Sequence, residues 1–366
     1  MVKIKYPVYQ PQLRGNEKKY VNECLDSTWI SSKGKFVNAF ESSFSNYVGC
    51  NHGTAVCNGT VALHLALLAL GIGEGDEVIV PTLTYIASVN AISYVGATPV
   101  FVDALESSWQ MDYDDVKKKI TPKTKAILCV HIYGHSCDMD QLLNIKKTNK
   151  LFLIEDCAEA IGTQYKGKHV GSFGDVSTFS FYGNKTITTG EGGMVCTNSE
   201  NLNSKIVHLK GQGLAKDREY WHDAIGYNYR MTNICAAIGL AQLEQIDTIL
   251  LKKQQIATWY KQAFEKTEFK FHETIGDIKH SYWMCTVLIP ESLDREALKE
   301  FLLSNGIETR PMFYPIHTMP IYNHVNISNY PISEKLALLG MNLPSYPSLT
   351  EENVLYIVNK LLEFKS

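Results

Sequence analysis

The chain has no long apolar run, no excess of charge of one sign and few arginines. The longest apolar stretch, Val61 to Gly73, is interrupted by His64 and falls short of the roughly 18 residues that a membrane-spanning helix needs. The 35 basic and 38 acidic side chains leave a formal charge of -3, so we expect no nucleic-acid or membrane partner. The opening segment MVKIKYPVYQ lacks the apolar core of a signal peptide, which favours a cytoplasmic protein.

Paired cysteine spacing is also missing. The nine cysteines form no Cys-x-x-Cys pair, and their number is odd. This pattern argues against both a disulfide framework and a zinc centre. We therefore expect the cysteines to be small buried side chains in a reducing compartment, and we expect no metal site.

Short β-rich runs alternate with helical segments between about residues 54 and 200, which is typical of an α/β fold with a mostly parallel sheet flanked by helices. The strand candidates are AVC, EVIVP, TPVFVD, AILCVHIYG, LFLIED, STFSFYG and GGMVCT. A long helical stretch from 232 to 264 follows, and then a second pattern of strand, helix and strand. We expect a large domain over 1–248, which includes an N-terminal substrate segment, and a smaller C-terminal α/β domain over 249–366.

The segment SFYGNKTITTGEGG places Lys185 just after a strand and before a glycine-rich turn. An isolated lysine is usually a solvated surface residue. Here the end of the strand directs the side chain to the edge of the sheet where ligands bind, and the glycines let the backbone approach a ligand closely. Lys185 is therefore a candidate for chemistry.

Two further segments offer groups at the same edge of the sheet. The apolar strand LFLIED ends in Glu155 and Asp156; a carboxylate there either caps the next helix or faces a ligand. In CNGTVALHLAL a short strand passes through Asn58 and Gly59 into a helix that begins near Thr60. Its N-terminal N–H groups and helix dipole favour an anion such as a phosphate, although such a start is also an ordinary helix cap.

Taken together, these segments resemble a known family. The segments NGT, PTLTYIAS, IEDCAEA, SFYGNK with TGEGG, and GYNYRMTNICAAIGLAQLE occur in the order seen in the fold-type I sugar aminotransferases of the DegT/DnrJ/StrS group. The resemblance covers nearly the whole chain. It implies an enzyme that uses pyridoxal 5'-phosphate (PLP) to aminate nucleotide-linked keto-sugars.

The resemblance also implies roles for individual residues. Lys185 would bind the cofactor covalently and move the proton, and Asp156 would pair with the pyridine nitrogen. Tyr85 would stack on the ring, and position 159, where the family more often has an amide or a histidine near O3', is Glu159 here. The residues implied to hold the phosphate are Asn58, Gly59, Thr60 and Ser180, joined by Asn228 from the partner subunit of a homodimer.

Within the group, the resemblance is sharpest to members that aminate C4 of GDP-4-keto-6-deoxy-D-mannose with L-glutamate, for lipopolysaccharide O-antigen. The nucleotide comes from the resemblance alone. A UDP- or dTDP-linked keto-sugar remains an alternative, as does a non-catalytic PLP-binding regulator, although the chain has no basic DNA-binding appendage. A related group that dehydrates its sugar has histidine in place of the lysine, so Lys185 argues against that reaction.

A nucleotide-sugar pocket needs aromatic rings for packing and donors for the pyrophosphate oxygens. The chain has only five arginines, which makes Arg310 a notable candidate. An aromatic or histidine at these positions could equally be a packed structural residue. The candidates for substrate binding are Trp29, Ser31, Ser32, Lys33, Trp221, Arg310, Tyr314 and His317.

Overall fold

The computed structural model describes residues 3–272, 274–325 and 329–364. The strands are β1 (His52–Val56), β2 (Glu77–Pro81), β3 (Thr98–Val102), β4 (Thr124–Val130), β5 (Phe152–Asp156), β6 (Gln164–Tyr165), β7 (Lys168–His169), β8 (Val176–Ser180), β9 (Gly193–Thr197), β10 (Lys270–Phe271), β11 (Ile278–Lys279), β12 (Cys285–Leu288), β13 (Arg310–Pro311) and β14 (Gly340–Leu343). The helices are α1 (Glu17–Asp26), α2 (Lys35–Val48), α3 (Gly59–Ala69), α4 (Ile86–Tyr94), α5 (Tyr113–Lys119), α6 (Met139–Asn149), α7 (Glu200–Lys210), α8 (Asn233–Leu243), α9 (Ile246–Phe264), α10 (Arg295–Ser304), α11 (Pro331–Leu339) and α12 (Glu351–Glu363).

The largest sheet has seven strands in the order β1-β9-β8-β5-β4-β2-β3. Neighbouring strands from β8 to β3 pair in parallel, whereas β9 runs antiparallel to both β8 and β1. The predicted α/β class with a mostly parallel sheet is therefore confirmed. Because β1 points in the same direction as β8, β5, β4, β2 and β3, the carboxyl ends of six strands lie at one edge, where ligands bind in such folds.

Both faces of this sheet are buried, because its apolar side chains alternate between two cores. Val78 and Val80 belong to the cluster that also contains the helix α3, while Ile79 between them packs with residues of α2 and α6. This alternation follows from the period of two along a strand. Helices therefore cover the sheet on both sides, as in other α/β layer folds.

The helical stretch predicted over 232–264 is in fact two helices. The helices α8 and α9 meet at a 61° bend, after Gln245 adopts a non-helical conformation with φ of -105° and ψ of 4°. After the bend, α9 contacts both cores, with Ile249 and Leu250 in one cluster and Ile256 and Tyr260 in the other.

A second, four-stranded sheet has the order β10-β12-β14-β13 and is antiparallel. The N-terminal segment joins this part of the molecule: Tyr6 bridges to Ile307, and the Ser345 N–H donates to the Val8 carbonyl at 3.1 Å. The division of the chain at residue 248 stays a prediction. A third sheet of three short strands, β11-β6-β7, connects the two larger ones.

Among the described residues, no single helix is both long enough and apolar enough to cross a bilayer. The bent pair α8 and α9 together would be long and apolar enough, by length and composition only. The nine cysteines are free, and seven of them are buried. The expected role of the cysteines as small buried side chains holds for those seven.

Candidate active site

Lys185 lies in a turn after β8, where its N–H donates to the Tyr182 carbonyl at 2.9 Å. Its Nζ lies 3.8 Å from Oε1 of Glu159 and 4.0 Å from the centroid of the Trp283 ring. Burial lowers the pKa of the Lys185 amine, and the carboxylates of Glu159 and Asp156 oppose that shift. The neutral form of the amine is therefore more populated at a given pH than it is for a solvated lysine.

Asp156 is the last residue of β5 and is buried, with 4% of its surface exposed. The Ser88 hydroxyl donates to its Oδ2 at 2.8 Å, and the Ala158 N–H donates to its Oδ1 at 3.1 Å. Burial raises the pKa of this carboxyl, while both hydrogen bonds and the Lys185 ammonium work to keep it ionised. The two hydrogen bonds thus fix the carboxylate in place, and its negative charge interacts with the Lys185 ammonium.

Glu159 completes the charged group at the end of β5. Burial raises its pKa to about 7, although the nearby Lys185 ammonium favours the ionised form. Its Oε2 accepts the N–H of Tyr133 at 2.8 Å, which holds the carboxyl beside the turn after β4. Glu159 therefore titrates near neutral pH next to the amine.

The start of α3 forms the candidate anion-binding site. The Asn58 side chain caps the helix by accepting the Val61 N–H at 3.0 Å. A Cβ on Gly59 would lie 2.8 Å from the Ser180 Cβ and 3.1 Å from its Oγ, so the glycine lets the Ser180 hydroxyl reach the helix N-terminus. Thr60 follows in the first turn, where backbone N–H groups have no partner within the helix.

Three buried side-chain oxygens on β8 and the turn that carries Lys185 have no hydrogen-bond partner within the ranges that the structure describes. The Asn184 Oδ1 and the Thr186 Oγ1 flank the lysine in sequence, and the Thr178 Oγ1 belongs to β8; the described part of the chain offers none of them a hydrogen-bond partner. Buried polar atoms of this kind are normally satisfied. With a buried amine, a fixed carboxylate and a helix N-terminus, the residues present fit PLP, which needs an amine for its aldehyde, a carboxylate for its pyridine nitrogen and donors for its phosphate.

Two other predicted cofactor residues lie at the same edge. Tyr85 precedes α4, and 55% of its surface is exposed, with its ring 5.6 Å from that of Phe313. Asn228 is also exposed and accepts hydrogen bonds from the Arg230 guanidinium at 3.1 and 3.3 Å. Its segment runs beside β1 of the same chain, where the Cys57 N–H donates to the Tyr229 carbonyl. A role for Asn228 in a second subunit stays a prediction.

The candidates for substrate binding fall into two groups. Trp29, Ser31, Ser32 and Lys33 lie in the loop between α1 and α2, with 57% of Trp29 exposed. Asn233 at the start of α8 holds this loop: its side-chain amide donates to the Trp29 carbonyl at 2.7 Å, and its backbone N–H donates to the Ser31 carbonyl at 2.6 Å. The backbone is thus anchored while the tryptophan side chain stays accessible.

The second group lies in the C-terminal part. Arg310 is exposed and forms an ion pair with Glu308 at 3.3 Å, and the exposed Tyr314 accepts from Arg295 at 3.4 Å. His317 is held on both sides: its Nδ1 lies 2.7 Å from the Thr82 hydroxyl and its Nε2 lies 3.0 Å from a carboxylate oxygen of Glu334. Both ring nitrogens of His317 are therefore used in structural contacts. Trp221 lies under the Arg218 guanidinium, 4.0 Å from it.

Sequence reasoning missed the aromatic wall that closes the site. Trp283 faces Lys185, and its ring lies 6.0 Å from Tyr133 and 6.3 Å from Phe313. Ser88, which holds Asp156, was also missed as an individual residue, although it lies in the PTLTYIAS segment that carried the resemblance. No local pattern marks Trp283, because it approaches from a distant part of the chain.

His131, Glu155 and Cys157 form a buried group whose ligand atoms lie within 4.8 Å of one another. Glu155 already accepts three backbone N–H groups of the loop 171–174, at 2.5 to 2.8 Å, and lies 3.2 Å from the His131 Nε2. The His131 Nδ1 accepts the Cys137 N–H at 3.0 Å. These atoms are engaged in holding the loop that packs behind β5.

Comparison with known proteins places this site in context. The model of the DegT/DnrJ/EryC1/StrS aminotransferase family matches residues 11–362. The chain is 60% identical to the GDP-perosamine synthase of Escherichia coli O157:H7 over 364 residues, covering 99% of this chain and 100% of that protein. It is 51% identical to the GDP-perosamine synthase of Vibrio cholerae, covering 96% of this chain and 97% of that protein.

Among solved structures, the chain is similar to the putative sugar aminotransferase Spr1654 from Streptococcus pneumoniae. The TM-score is 0.93 with 28% identity for its PMP form, covering 97% of this chain and 98% of that one. For its PLP form the TM-score is 0.92 with 29% identity, covering 98% of this chain and 97% of that one. The fold is therefore shared along almost the whole length.

Proposed function

The chain belongs to the DegT/DnrJ/EryC1/StrS aminotransferase family, and we propose that it is a PLP-dependent aminotransferase that makes GDP-perosamine. It transfers the amino group of L-glutamate to C4 of GDP-4-keto-6-deoxy-D-mannose. The observation that carries the reaction class is the buried Lys185 amine held between Glu159, Asp156 and an aromatic ring. The nucleotide and the sugar rest on 60% identity to a GDP-perosamine synthase over the full chain.

Each end of the cofactor has a partner in this arrangement. Lys185 would bind the reactive carbon, Asp156 would hold the protonated pyridine nitrogen, and Tyr85 would cover the ring. The residues that would receive the phosphate at the N-terminus of α3 are Asn58, Gly59, Thr60 and Ser180, with Asn228 from the second subunit. When bound, PLP supplies a ring that accepts the electron pair left on carbon once a proton is removed.

Lys185 carries the proton in both half-reactions. With PLP bound, the Lys185 amine would remove the proton from the donor's α-carbon and deliver it to C4' of the cofactor. Burial lowers the pKa of this amine, which favours its neutral, basic form relative to a solvated lysine. In the second half-reaction the same amine would move a proton in the reverse direction. The kinetics are ping-pong because 2-oxoglutarate leaves before the keto-sugar binds.

Asp156 and Glu159 divide the electrostatic work. Asp156 has to be ionised to keep a proton on the pyridine nitrogen, and its hydrogen bonds from Ser88 and Ala158 favour that form. Glu159, beside the amine, exchanges a proton near neutral pH because burial raises its pKa to about 7. It therefore balances the charge of Lys185 as the amine gains and loses its proton.

The nucleotide-sugar lies at the mouth of the site, between the loop after α1 and the C-terminal part. Trp29 offers an exposed ring for packing, and Ser31, Ser32 and Lys33 offer donors for the pyrophosphate. Arg310, Tyr314 and His317 form the opposite side. The exposed positions of Trp29, Arg310 and Tyr314 are consistent with contacts to a soluble substrate.

A homodimer with shared active sites completes the proposal. Exposed apolar side chains at Leu214, Tyr220, Trp221 and Ile225 flank the segment that carries Asn228 and support a covering subunit. The large PLP-binding domain extends to residue 248 and the small domain begins at 249. The enzyme acts in the cytoplasm, and its product serves O-antigen lipopolysaccharide.

The proposal is tested by giving the purified protein L-glutamate with GDP-, UDP- or dTDP-linked 4-keto-6-deoxy sugars and identifying the product by mass spectrometry and NMR. We expect amination at C4 of the GDP sugar. Amination of a UDP or dTDP sugar alone would show that the assigned substrate is wrong.

A lysine variant tests the reaction class. Lys185→Ala should abolish turnover and the visible absorbance of the covalently bound cofactor, because no other amine replaces Lys185 in the site. The matched control is Lys147→Ala, since Lys147 is exposed on α6. Full transaminase activity in the Lys185 variant would refute the assignment.

A further inference from the structure

Trp283 reaches the site from the segment just before β12, in the C-terminal part of the chain. Its ring centroid lies 4.0 Å from the Lys185 Nζ, and its indole N–H donates to the Asn184 carbonyl at 2.8 Å. The same side chain therefore contacts the amine and the backbone next to it. Only 3% of its surface is exposed, so water is largely excluded from this contact.

The backbone around Gly134 brings this segment close. The Ser281 N–H donates to the Gly134 carbonyl at 3.2 Å, and the Thr163 hydroxyl lies 2.6 Å from that carbonyl and 2.9 Å from the Ser281 Oγ. Gly134 has φ of +96°, and a Cβ there would lie 2.9 Å from the Trp283 N. A glycine is needed both for the backbone angle and for the close approach.

The turn that supports Trp283 also supports Glu159. Tyr133, at φ of +55°, donates its N–H to the Glu159 carboxylate while its ring stacks on Trp283 at an interplanar angle of 12°. A non-glycine residue in this backbone region persists only where the surroundings over-determine it. One strained turn thus sets both the carboxylate and the ring that face the amine.

We propose that Trp283 is a positioning residue whose ring face, together with Glu159, holds the Lys185 amine in place while that amine carries a proton. This proposal rests on the proposed function and deepens it. A tryptophan face attracts an ammonium within about 6 Å, and the attraction is stronger when the pair is desolvated. With PLP bound, the ring and the carboxylate would keep the amine beside the cofactor between taking up a proton and giving it away.

The test measures the apparent pKa of Lys185 by competitive acetylation across a pH series, with mass spectrometry of the peptide that contains it. The pKa is measured in full-length protein freed of cofactor by dialysis and, separately, in holoenzyme held in excess L-glutamate. Trp283→Leu should lower the apparent pKa of Lys185 by about one unit, since the ammonium loses its ring face. Trp283→Phe should give a smaller shift, because a ring remains.

Matched variants separate the ring contact from general loosening. Trp109→Leu makes the same change at another buried contact between distant segments, where Trp109 stacks on His272, and should leave the Lys185 pKa unaltered. Trp283→Met is measured in parallel and carries the test if the leucine variant does not fold, as judged by circular dichroism. An unaltered Lys185 pKa without the ring, or an equal shift in Trp109→Leu, would overturn the proposal.

The cofactor-free measurement requires neither a sugar nor an amino donor. A failed substrate panel with a shifted Lys185 pKa would contradict the proposed substrate alone. An active enzyme whose Lys185 pKa ignores Trp283 would contradict the positioning role alone.

Discussion

Ser88 is a small residue with a direct effect on the acid–base state of the site. Its hydroxyl donates to Asp156 at 2.8 Å and lies 3.1 Å from the Thr84 hydroxyl. Burial alone would favour a protonated Asp156, which could not hold a proton on the pyridine nitrogen. The hydrogen bond to Ser88 therefore offsets part of the effect of burial.

We expect Ser88→Ala to move the acidic limb of the kcat profile to higher pH by about one unit. The hydroxyl stabilises the ionised Asp156 and lowers its pKa, so its removal raises that pKa, at about 1.4 kcal/mol for each unit. The measurement is kcat against pH with saturating substrates. Ser93→Ala, on the same helix but bonded to Tyr322, is the control and should keep the wild-type limb. If the acidic limb of Ser88→Ala coincided with that of Ser93→Ala, Ser88 would have no role in the ionisation of Asp156.

At the scale of elements, the site depends on how close a helix N-terminus comes to a strand end. The helix α3 starts at Gly59, directly against Ser180 at the end of β8. A carboxyl edge built from parallel strands gathers Asp156 and Ser180 from neighbouring strands. The dipole of α3 then adds a positive end beside them.

Gly59→Ala should weaken cofactor binding by at least about tenfold, or about 1.4 kcal/mol. The added Cβ would lie 2.8 Å from the Ser180 Cβ, which forces the strand end and the helix apart and misplaces the phosphate donors. A fluorescence titration of the cofactor-free protein with PLP measures the change in Kd. Gly73→Ala is the control, because its Cβ would come no nearer than 3.6 Å to the Val95 carbonyl. Equal Kd values for the two variants would count against a phosphate site at the N-terminus of α3.

The whole molecule contains a buried group of three histidines where distant segments meet. His272 stacks on Trp109 at 3.9 Å and donates to the Ser108 carbonyl at 3.0 Å, and His280 lies 3.5 Å from His272. His135, after β4, stacks on His272 at 5.4 Å. Burial lowers the pKa of His135 to about 4 and that of His272 to about 3, and it also lowers the pKa of His280.

These three histidines should make the protein less stable as the pH falls below about 6.5. The unfolded chain binds protons on them near that pH, whereas the folded chain does so only near 4 or below, so each contributes about 1.4 kcal/mol of lost stability per pH unit across that window. The stabilising contribution is complete above the unfolded pKa.

Urea unfolding at pH 7.0 and 5.5, values that bracket the onset at about 6.5, measures this slope. His272→Gln, which has no charge to gain, should show a shallower dependence on pH whatever its stability at pH 7. A His272→Gln slope equal to that of the wild type would exclude this histidine as a source of acid sensitivity.

The periodicity of the sequence was enough for the class of fold and for the edge that carries the site. Strand candidates such as EVIVP and LFLIED correspond to β2 and β5, because a short continuous apolar run is the local signature of a strand buried on both faces. The bend between α8 and α9 was not predicted, since both helices are apolar and no glycine or proline marks the break at Glu244 and Gln245.

By itself, the sequence determined the order of the motifs, the parallel sheet, and the placement of Lys185 and Asp156 after strands whose ends share one edge. Only the tertiary structure decided which side chains surround the amine. Trp283 lies 98 positions along the chain from Lys185, and the Gly134 turn that admits it belongs to a third segment. Contacts between such distant residues depend on the packing of whole elements, and local periodicity does not specify that packing.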